Sequence, residues 1–532
     1  MLPEKTHRKI YLTLLALLGG CMVTSIGMSN VVWPLLLANW VLDGWSRPRG
    51  SNGPLAWCEK WRMARESRLL HAVVALFLLH VVGLLWTSSL PTGLHVIERL
   101  LPWLVVPLVV LTTRPPEGRA RTTILFVYIG TVFVVTVIGL VRWLTIPDLP
   151  YRDIVPFISH IRFSLNLCVV LFLIISSLGR RRFAGIIISP CNHLAGRMPT
   201  VHWIVGVALI LWFLSFLLIL RSYTAFVVLL VASLVVILHL RRRWLWLTVW
   251  IVAVGGVVAY VAVEYCAYYR LSPLATEPLK PLTVNGRPYQ HLQDGLLENG
   301  NYLHNYLCDD ELAIAWPQRS SVPLDSLTAS GYSVKAALVR YLNALGLTKD
   351  SAGVAALTDG QVEEVGRGVT NPVYEHGSMP QKMLYVIFFE YESYRSYRAV
   401  EGFSMLQRYE LWRASLHVIG QYPWMGVGTG DLELALEDDF QATQSPLQGS
   451  RLMPHNEYLT LIALLGIPAF LLLAFFFLRA VPALRRQPLW MVAWTVAILV
   501  SCLTENTLDS LAGILFSTWF MAFRTDSVAP KE

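Results

Sequence analysis

Thr200–Leu240 reads TVHWIVGVALILWFLSFLLILRSYTAFVVLLVASLVVILHL, and Arg241–Arg243 follow at once. Two apolar runs are divided by the pair Arg221–Ser222, and Arg221 is the one Asp, Glu, Lys or Arg in the stretch. Helices of about 20 apolar residues at ~1.5 Å each match the ~30 Å hydrocarbon core of a bilayer. The stretch therefore predicts two membrane-crossing helices joined by a tight reversal.

Runs of the same kind recur near 10–27, 29–45, 69–87, 96–113, 122–142, 161–178, 200–220, 222–240, 244–264, 456–479, 489–504 and 507–523. The expected fold is an all-α polytopic membrane protein of about 12 transmembrane helices, with a large, mainly helical domain between helices 9 and 10. Composition agrees. Over 532 residues, 55% hydrophobic and 15% charged leave too little charge to cover a soluble surface of that size. The formal net charge of +8 sits in short basic clusters rather than an aromatic-interleaved stripe, which argues against nucleic acid.

The connections alternate in character. Arg47–Arg68, Arg114–Arg121, Arg180–Arg197, Arg241–Arg243 and Arg479–Arg486 are rich in Arg and Lys, whereas Ser88–His95 and Thr145–His160 hold almost none. Lys and Arg stay on the cytoplasmic side, so both termini are expected inside and residues 265–454 outside the cytoplasm. The expected division is 1–264 for helices 1–9, 265–455 for the extracytoplasmic domain, and 456–532 for helices 10–12 with a cytoplasmic tail. Lys5, Arg8 and Lys9 before the first apolar run resemble a signal peptide, but no small-x-small site follows, which predicts an uncleaved first helix. The seven cysteines form no CxxC pair, and a bridge between Cys266 and Cys308 is left open.

Within 265–455, Tyr289–Cys308, Ser333–Leu345 and Met405–Gly420 show apolar residues at three- and four-residue spacing and predict helices. Leu357–Asn371 predicts a further short helix, ended by a turn at Asn371–Pro372. The aromatic strip Tyr385–Tyr397 fits core packing, a membrane interface or a groove for a lipid or sugar chain.

Chemistry-bearing residues gather near the ends of the apolar runs. Arg221 is a charge between two membrane helices, which points to function unless it snorkels to the headgroups. Arg408 and Arg413 lie five apart, so one can bind an anion while the other pairs with a carboxylate such as Glu410. The glycine run Gly426–Gly430 has no preceding strand, so a dinucleotide site is rejected in favour of an anion-tolerant turn. His455, in MPHNEYLTL, starts the tenth membrane helix; Asn456 and Glu457 follow. The spacing is not HExxH, so zinc is disfavoured and no metal is expected. An imidazole at the membrane–water boundary suits a general base, or simply opens the helix. Glu505 and Asp509 are expected to pair with an arginine. Two fixed cations and an imidazole on one side of a bilayer suit group transfer from a lipid pyrophosphate, with arginines holding phosphate and no nucleotide required.

The stretches LRSYTAF, RYELWRASLHVIGQYPWMGVGTGD and PHNEYLTLIALLGIPAFLLL resemble the O-antigen ligase and polymerase family of membrane-embedded glycosyltransferases. The resemblance covers 407–480 well and the membrane core loosely, and 265–400 is longer than the family's usual connecting loop. It implies metal-independent transfer of a glycan from undecaprenyl pyrophosphate to an acceptor hydroxyl at the periplasmic face of the bacterial inner membrane. In the ligase branch the acceptor is lipid A–core oligosaccharide. By motif, Arg221 and Arg408 hold the donor pyrophosphate and His455 is the base. Arg162 and His160 are secondary candidates by position, with Arg413, Asn456 and Glu505. The competing readings are O-antigen polymerase, protein O-oligosaccharyltransferase, and, in another class, a polysaccharide transporter or flippase. A transporter predicts midplane charges and repeated interrupted helices, and neither is evident.

Overall fold

The computed structural model describes residues 3–45, 56–147, 149–178, 199–240, 242–292, 295–328, 331–400, 402–484 and 487–525. The basic segments 46–55 and 179–198, part of the cluster at Arg479–Arg486 and the tail beyond 525 lie outside them. The chain divides into two units, Met1–Leu247 with Glu410–Glu532, and Thr248–Tyr409.

Helix dominates, and among the described residues seven helices are long and apolar enough to cross a membrane: Arg68–Trp86, Leu90–Leu111, Gly118–Thr145, His160–Leu178, Trp203–Leu220, Arg243–Tyr269 and Glu457–Arg479. Shorter apolar helices cover Tyr223–Leu238, Leu489–Thr504 and Leu511–Phe523. The run expected at 507–523 is therefore not one full-length helix. Ser510 is extended (φ −134°) and its hydroxyl caps a fresh helix by accepting from the Gly513 amide, so a 3₁₀ turn at Thr507–Asp509 stands apart from Leu511–Thr518. Glu4–Thr24 and Ile26–Gly44 cover the first two expected runs.

Several buried polar side chains of the first unit pair across helices, as a medium without water favours. The Trp519 indole donates to the Leu15 carbonyl at 2.8 Å, and a Cβ at Gly19 would overlap that indole. Tyr128 donates to Asn166 at 2.8 Å, Trp494 to the Phe516 carbonyl at 2.9 Å, and Arg524 to the carbonyls of Val110 and Leu111.

The second unit has its own apolar core, formed among others by Trp316, Leu338, Leu342, Val354 and Val365. Ser333 caps Val334–Ala344 as its sequence predicts, and Gly346 (φ +70°) follows the helix end. Thr358 opens Asp359–Gly366 with a full capping box. Asn371–Pro372 is not a plain turn, since Asn371 caps a further short helix, Pro372–His376. The expected helix at Tyr289–Cys308 is a two-stranded hairpin instead, Leu297–Glu298 against Asn301–Tyr302. Its Asn299–Gly300 turn takes φ of +51° and +73°, a left-handed pair that a helix cannot contain and that twists strands correctly for pairing. The aromatic strip is helix Met379–Tyr397, whose Tyr385 and Phe388 pack at 5.2 and 5.1 Å from the Tyr268 ring, so core packing accounts for them. Cys266 and Cys308 are both free thiols.

Polar groups inside this unit form a connected set. Arg340 grips Glu298 through two bonds of 3.0 and 2.8 Å, its guanidinium 3.4 Å over the Phe389 ring. Asn371 donates to the same carboxylate, and Asn343 donates to the Glu298 carbonyl. The Lys349 ammonium donates to Asn343 and to the carbonyls of Asn305 and Tyr302.

Candidate functional site

His455 precedes helix Glu457–Leu484 in a left-handed conformation, φ +50°. Such a backbone is uncommon for a non-glycine residue and persists where surrounding contacts enforce it. Those contacts are visible. Trp412 donates to the Pro454 carbonyl at 2.9 Å, and the Asn456 side chain accepts from the Leu459 amide at 3.1 Å, capping the helix. Asn456 thus fixes where the helix begins and so where the imidazole stands. The His455 Nδ1 lies 3.6 Å from a Glu505 carboxylate oxygen; the imidazole is partly open and the carboxylate buried.

Glu505 follows helix Leu489–Thr504 and starts a turn that several side chains hold. Both terminal nitrogens of Arg162 donate into this turn, to the Thr507 carbonyl at 3.1 Å and the Asn506 carbonyl at 2.8 Å. The buried Glu457 accepts from the Leu508 amide at 3.0 Å. A Cβ at Gly513 would overlap the Arg162 guanidinium and the Thr507 carbonyl, which explains a glycine there. Asp509 pairs with Arg99 at 2.7 Å; burial pushes its carboxyl up, with Arg99 and Arg162 pulling the other way. Of the acidic pair expected to meet arginine, Asp509 bonds to Arg99, and Glu505 faces the imidazole while its charge also acts on Arg162.

Arg221 also has a left-handed backbone, φ +49°, between helices Pro199–Leu220 and Tyr223–Leu238. Ser222 caps the second helix and shares a 2.8 Å hydrogen bond with Ser164, tying the reversal to helix His160–Leu178. The Arg221 guanidinium lies 5.8 Å over the Tyr151 ring, which meets His160 edge-on at 5.4 Å. Its Nε is buried without a hydrogen-bond partner among the described residues. Arg162, His160, Arg221, His455, Asn456 and Glu505 all fall in the first unit, and helix His160–Leu178 connects the Arg221 reversal to the Glu505 turn. Arg408 falls in the second unit, on helix Ser404–Gln421, which enters the first at Glu410. Arg413 pairs with the buried Glu410 at 2.9 Å.

Sequence reasoning missed Arg99, Tyr151 and Gly513. Tyr151 carried a usable signal, an aromatic residue in a nearly charge-free connection between membrane helices, whereas Gly513 acquires meaning only once Arg162 packs beside it.

The glycine run is not an anion-tolerant turn. Its amides are already given away: Val427 to the Ala463 carbonyl, Gly428 to Leu464, Thr429 to Gly83, and Gly430 to the Thr87 hydroxyl. Gly426 and Gly428 have φ of +66° and +98°, and side chains there would overlap Leu464 or crowd Thr87. Asp431 closes the run by accepting from the amides of Ser88 at 2.6 Å and Ser89 at 2.8 Å. Burial alone would raise this carboxyl, but the two amides together with the Ser88 and Thr87 hydroxyls outweigh it and hold it below the usual aspartate range. Its stabilisation is therefore present above the unfolded aspartate value, about pH 4, and is lost as pH falls through the lower folded value. Asp431→Ala is expected to destabilise the first unit by about 2–4 kcal/mol at pH 7, from two orphaned amides. Thermal unfolding in detergent should show the gap to wild type narrowing at pH 3, and a gap independent of pH would contradict this account.

Among the described residues, no group of three His, Cys, Asp or Glu side chains is placed to hold a metal ion. No curated protein sequence matches the chain. Residues 344–474 match the family model described as O-antigen ligase, a segment that contains Arg408, Arg413, the glycine run, His455 and Asn456. With several membrane-length apolar helices around that segment, the chain is a multi-pass membrane protein carrying an O-antigen ligase family domain.

Proposed function

We propose that this protein transfers a glycan from undecaprenyl pyrophosphate to lipid A–core oligosaccharide at the periplasmic face of the bacterial inner membrane. In this reading both termini are cytoplasmic and the segment following Arg243–Tyr269 is periplasmic. The observation that carries it is His455, held in a left-handed conformation inside the matched segment with Nδ1 toward a buried carboxylate. An imidazole so oriented keeps Nε2 for an incoming hydroxyl, and Glu505 stabilises the imidazolium once the proton arrives. The acceptor oxygen attacks the anomeric carbon, and the bond from that carbon to the pyrophosphate oxygen breaks. Undecaprenyl pyrophosphate leaves with the electron pair, and the hydroxyl proton passes to His455. Arg221 and Arg408 hold the pyrophosphate, as the family motif implies, and their fixed charge meets the negative charge that grows on the leaving group. Arg162 is a positioning residue, because its hydrogen-bond donors are committed to the Glu505 turn.

A deletion strain tests the acceptor. Core lacking polymer is the expected lipopolysaccharide phenotype. A single repeat unit on core would make the protein a polymerase, and intact lipopolysaccharide with missing glycoprotein a protein O-oligosaccharyltransferase. Purified protein with lipid-linked donor should transfer in EDTA and without nucleotide, and strict dependence on a divalent ion would overturn the mechanism.

A further inference from the structure

Ala414–Gly430 contains no Asp, Glu, Lys or Arg, in a region otherwise rich in them. It comprises the end of helix Ser404–Gln421, the turn Gln421–Met425 and the glycine run. The partners of this turn are deep in a membrane helix. The Ile467 amide donates to the Pro423 carbonyl at 2.9 Å, and a Cβ at Gly466 would overlap the Trp424 carbonyl. Gly466 (φ +82°) interrupts helix Glu457–Leu484 at that level, opening the groove in which the turn lies.

Two helices set the depth. At the basic end, Arg68 reaches the Arg479 carbonyl at 3.5 Å, and both line one cavity with Arg65, His71 and Phe476. Gly466 is thirteen residues from Arg479, about 20 Å of helix rise. On the neighbouring helix Arg68–Trp86, Gly83 is fifteen residues from Arg68, about 22 Å, and sits against Leu465 and Thr429. Both measures place the turn well inside a ~30 Å hydrocarbon core, about 10 Å short of the far face.

We infer that Ala414–Gly430 is a re-entrant membrane segment whose turn at Tyr422–Met425 is embedded in the bilayer leaflet remote from Arg68 and Arg479, with its exposed side chains against lipid acyl chains. Non-helical backbone survives at such depth only if its polar groups are satisfied within the protein. Here the amides of Tyr422, Gly426, Val427, Gly428, Thr429 and Gly430 donate to protein oxygens and Pro423 has no amide to place, while those of Trp424 and Met425 at the tip find no acceptor among the described residues. The side chains fit the same solvent. Trp424 is 75% exposed, and Leu416, Tyr422 and Met425 are half exposed or more. They continue the lipid-facing surface of the membrane helix, where Ile467, Leu471 and Leu472 are also exposed. The inference rests on this packing and not on the proposed transfer reaction. It adds a membrane-embedded element to the stretch 265–454, which the sequence reading places outside the cytoplasm without any membrane segment at 414–430.

The test uses the full chain with its native cysteines replaced, reconstituted in lipid vesicles, and a nitroxide on Trp424→Cys or Met425→Cys. Leu472→Cys serves as the acyl-chain reference and Val284→Cys, 90% exposed in a polar turn, as the aqueous one. Collision with oxygen should exceed collision with a water-soluble nickel chelate at 424 and 425 by a ratio near that of 472 and several-fold above that of 284. Chelate access equal to that of 284 would put the turn in water. Shielding from both reagents would mean that protein covers it. Either result overturns the inference.

Discussion

His455→Ala is expected to lose glycan transfer by ~10²–10⁴-fold while the protein still inserts into the membrane. The size follows from the proposed task, since a positioned base typically contributes that much. The backbone at 455 complicates alanine, because a left-handed φ of +50° strains any side chain with a Cβ. His455→Asn is the sharper variant. Asparagine tolerates that conformation better than most residues but offers no basic nitrogen, so folding is kept and chemistry lost. Glu505→Gln should lower transfer less than His455→Asn and shift its pH profile, as expected of a residue that acts through the imidazole. Arg221→Ala and Arg408→Ala should each abolish transfer, for loss of the donor. Full transfer by either His455 variant removes the base from the mechanism.

Arg340→Met is expected to destabilise the second unit by about 3–5 kcal/mol, the cost of stranding a buried charge. The Glu298 side chain is wholly buried and relies on Arg340 for two of its bonds, with Asn371 supplying another. The effect spreads because the Glu298 backbone also holds Asn343, which in turn holds Lys349. Thermal unfolding should shift by on the order of 10 °C for a unit of this size. Pairing Arg340→Met with Glu298→Leu should recover part of the loss, since an apolar pair of similar volume strands no charge. A shift of the single variant within ~2 °C would show that the ion pair contributes little.

The membrane helices were legible because hydrocarbon imposes a local rule on each segment separately: enough apolar residues, few charges, and breaks at Arg221–Ser222 or before Glu457. Arg221 and His455 stood out for the same reason, as polar residues at the margins of such runs. The match of 344–474 to the O-antigen ligase model likewise falls on motifs readable in the chain. Helix caps at Ser333 and Thr358 were local too, and the helix expected at Ser333–Leu345 is found at Val334–Ala344. The hairpin at 297–302 was misread because Leu296, Leu303 and Leu307 mimic helical spacing, while the Asn299–Gly300 turn that forbids a helix is only two residues long.

What the sequence by itself determined is which long apolar stretches suit lipid, where the basic connections lie, and which polar residues sit at the margins of those stretches. Partner choice was decided by tertiary structure. Glu505 meets His455, Asp509 meets Arg99, and Arg162 spends its donors on two carbonyls. The glycine run gives its amides to helices beginning at Arg68 and Glu457 instead of to an anion. Each of these contacts joins groups far apart in the chain or aimed by a turn. Hydropathy ranks residues one segment at a time, and it carries no information on which buried donor will face which acceptor.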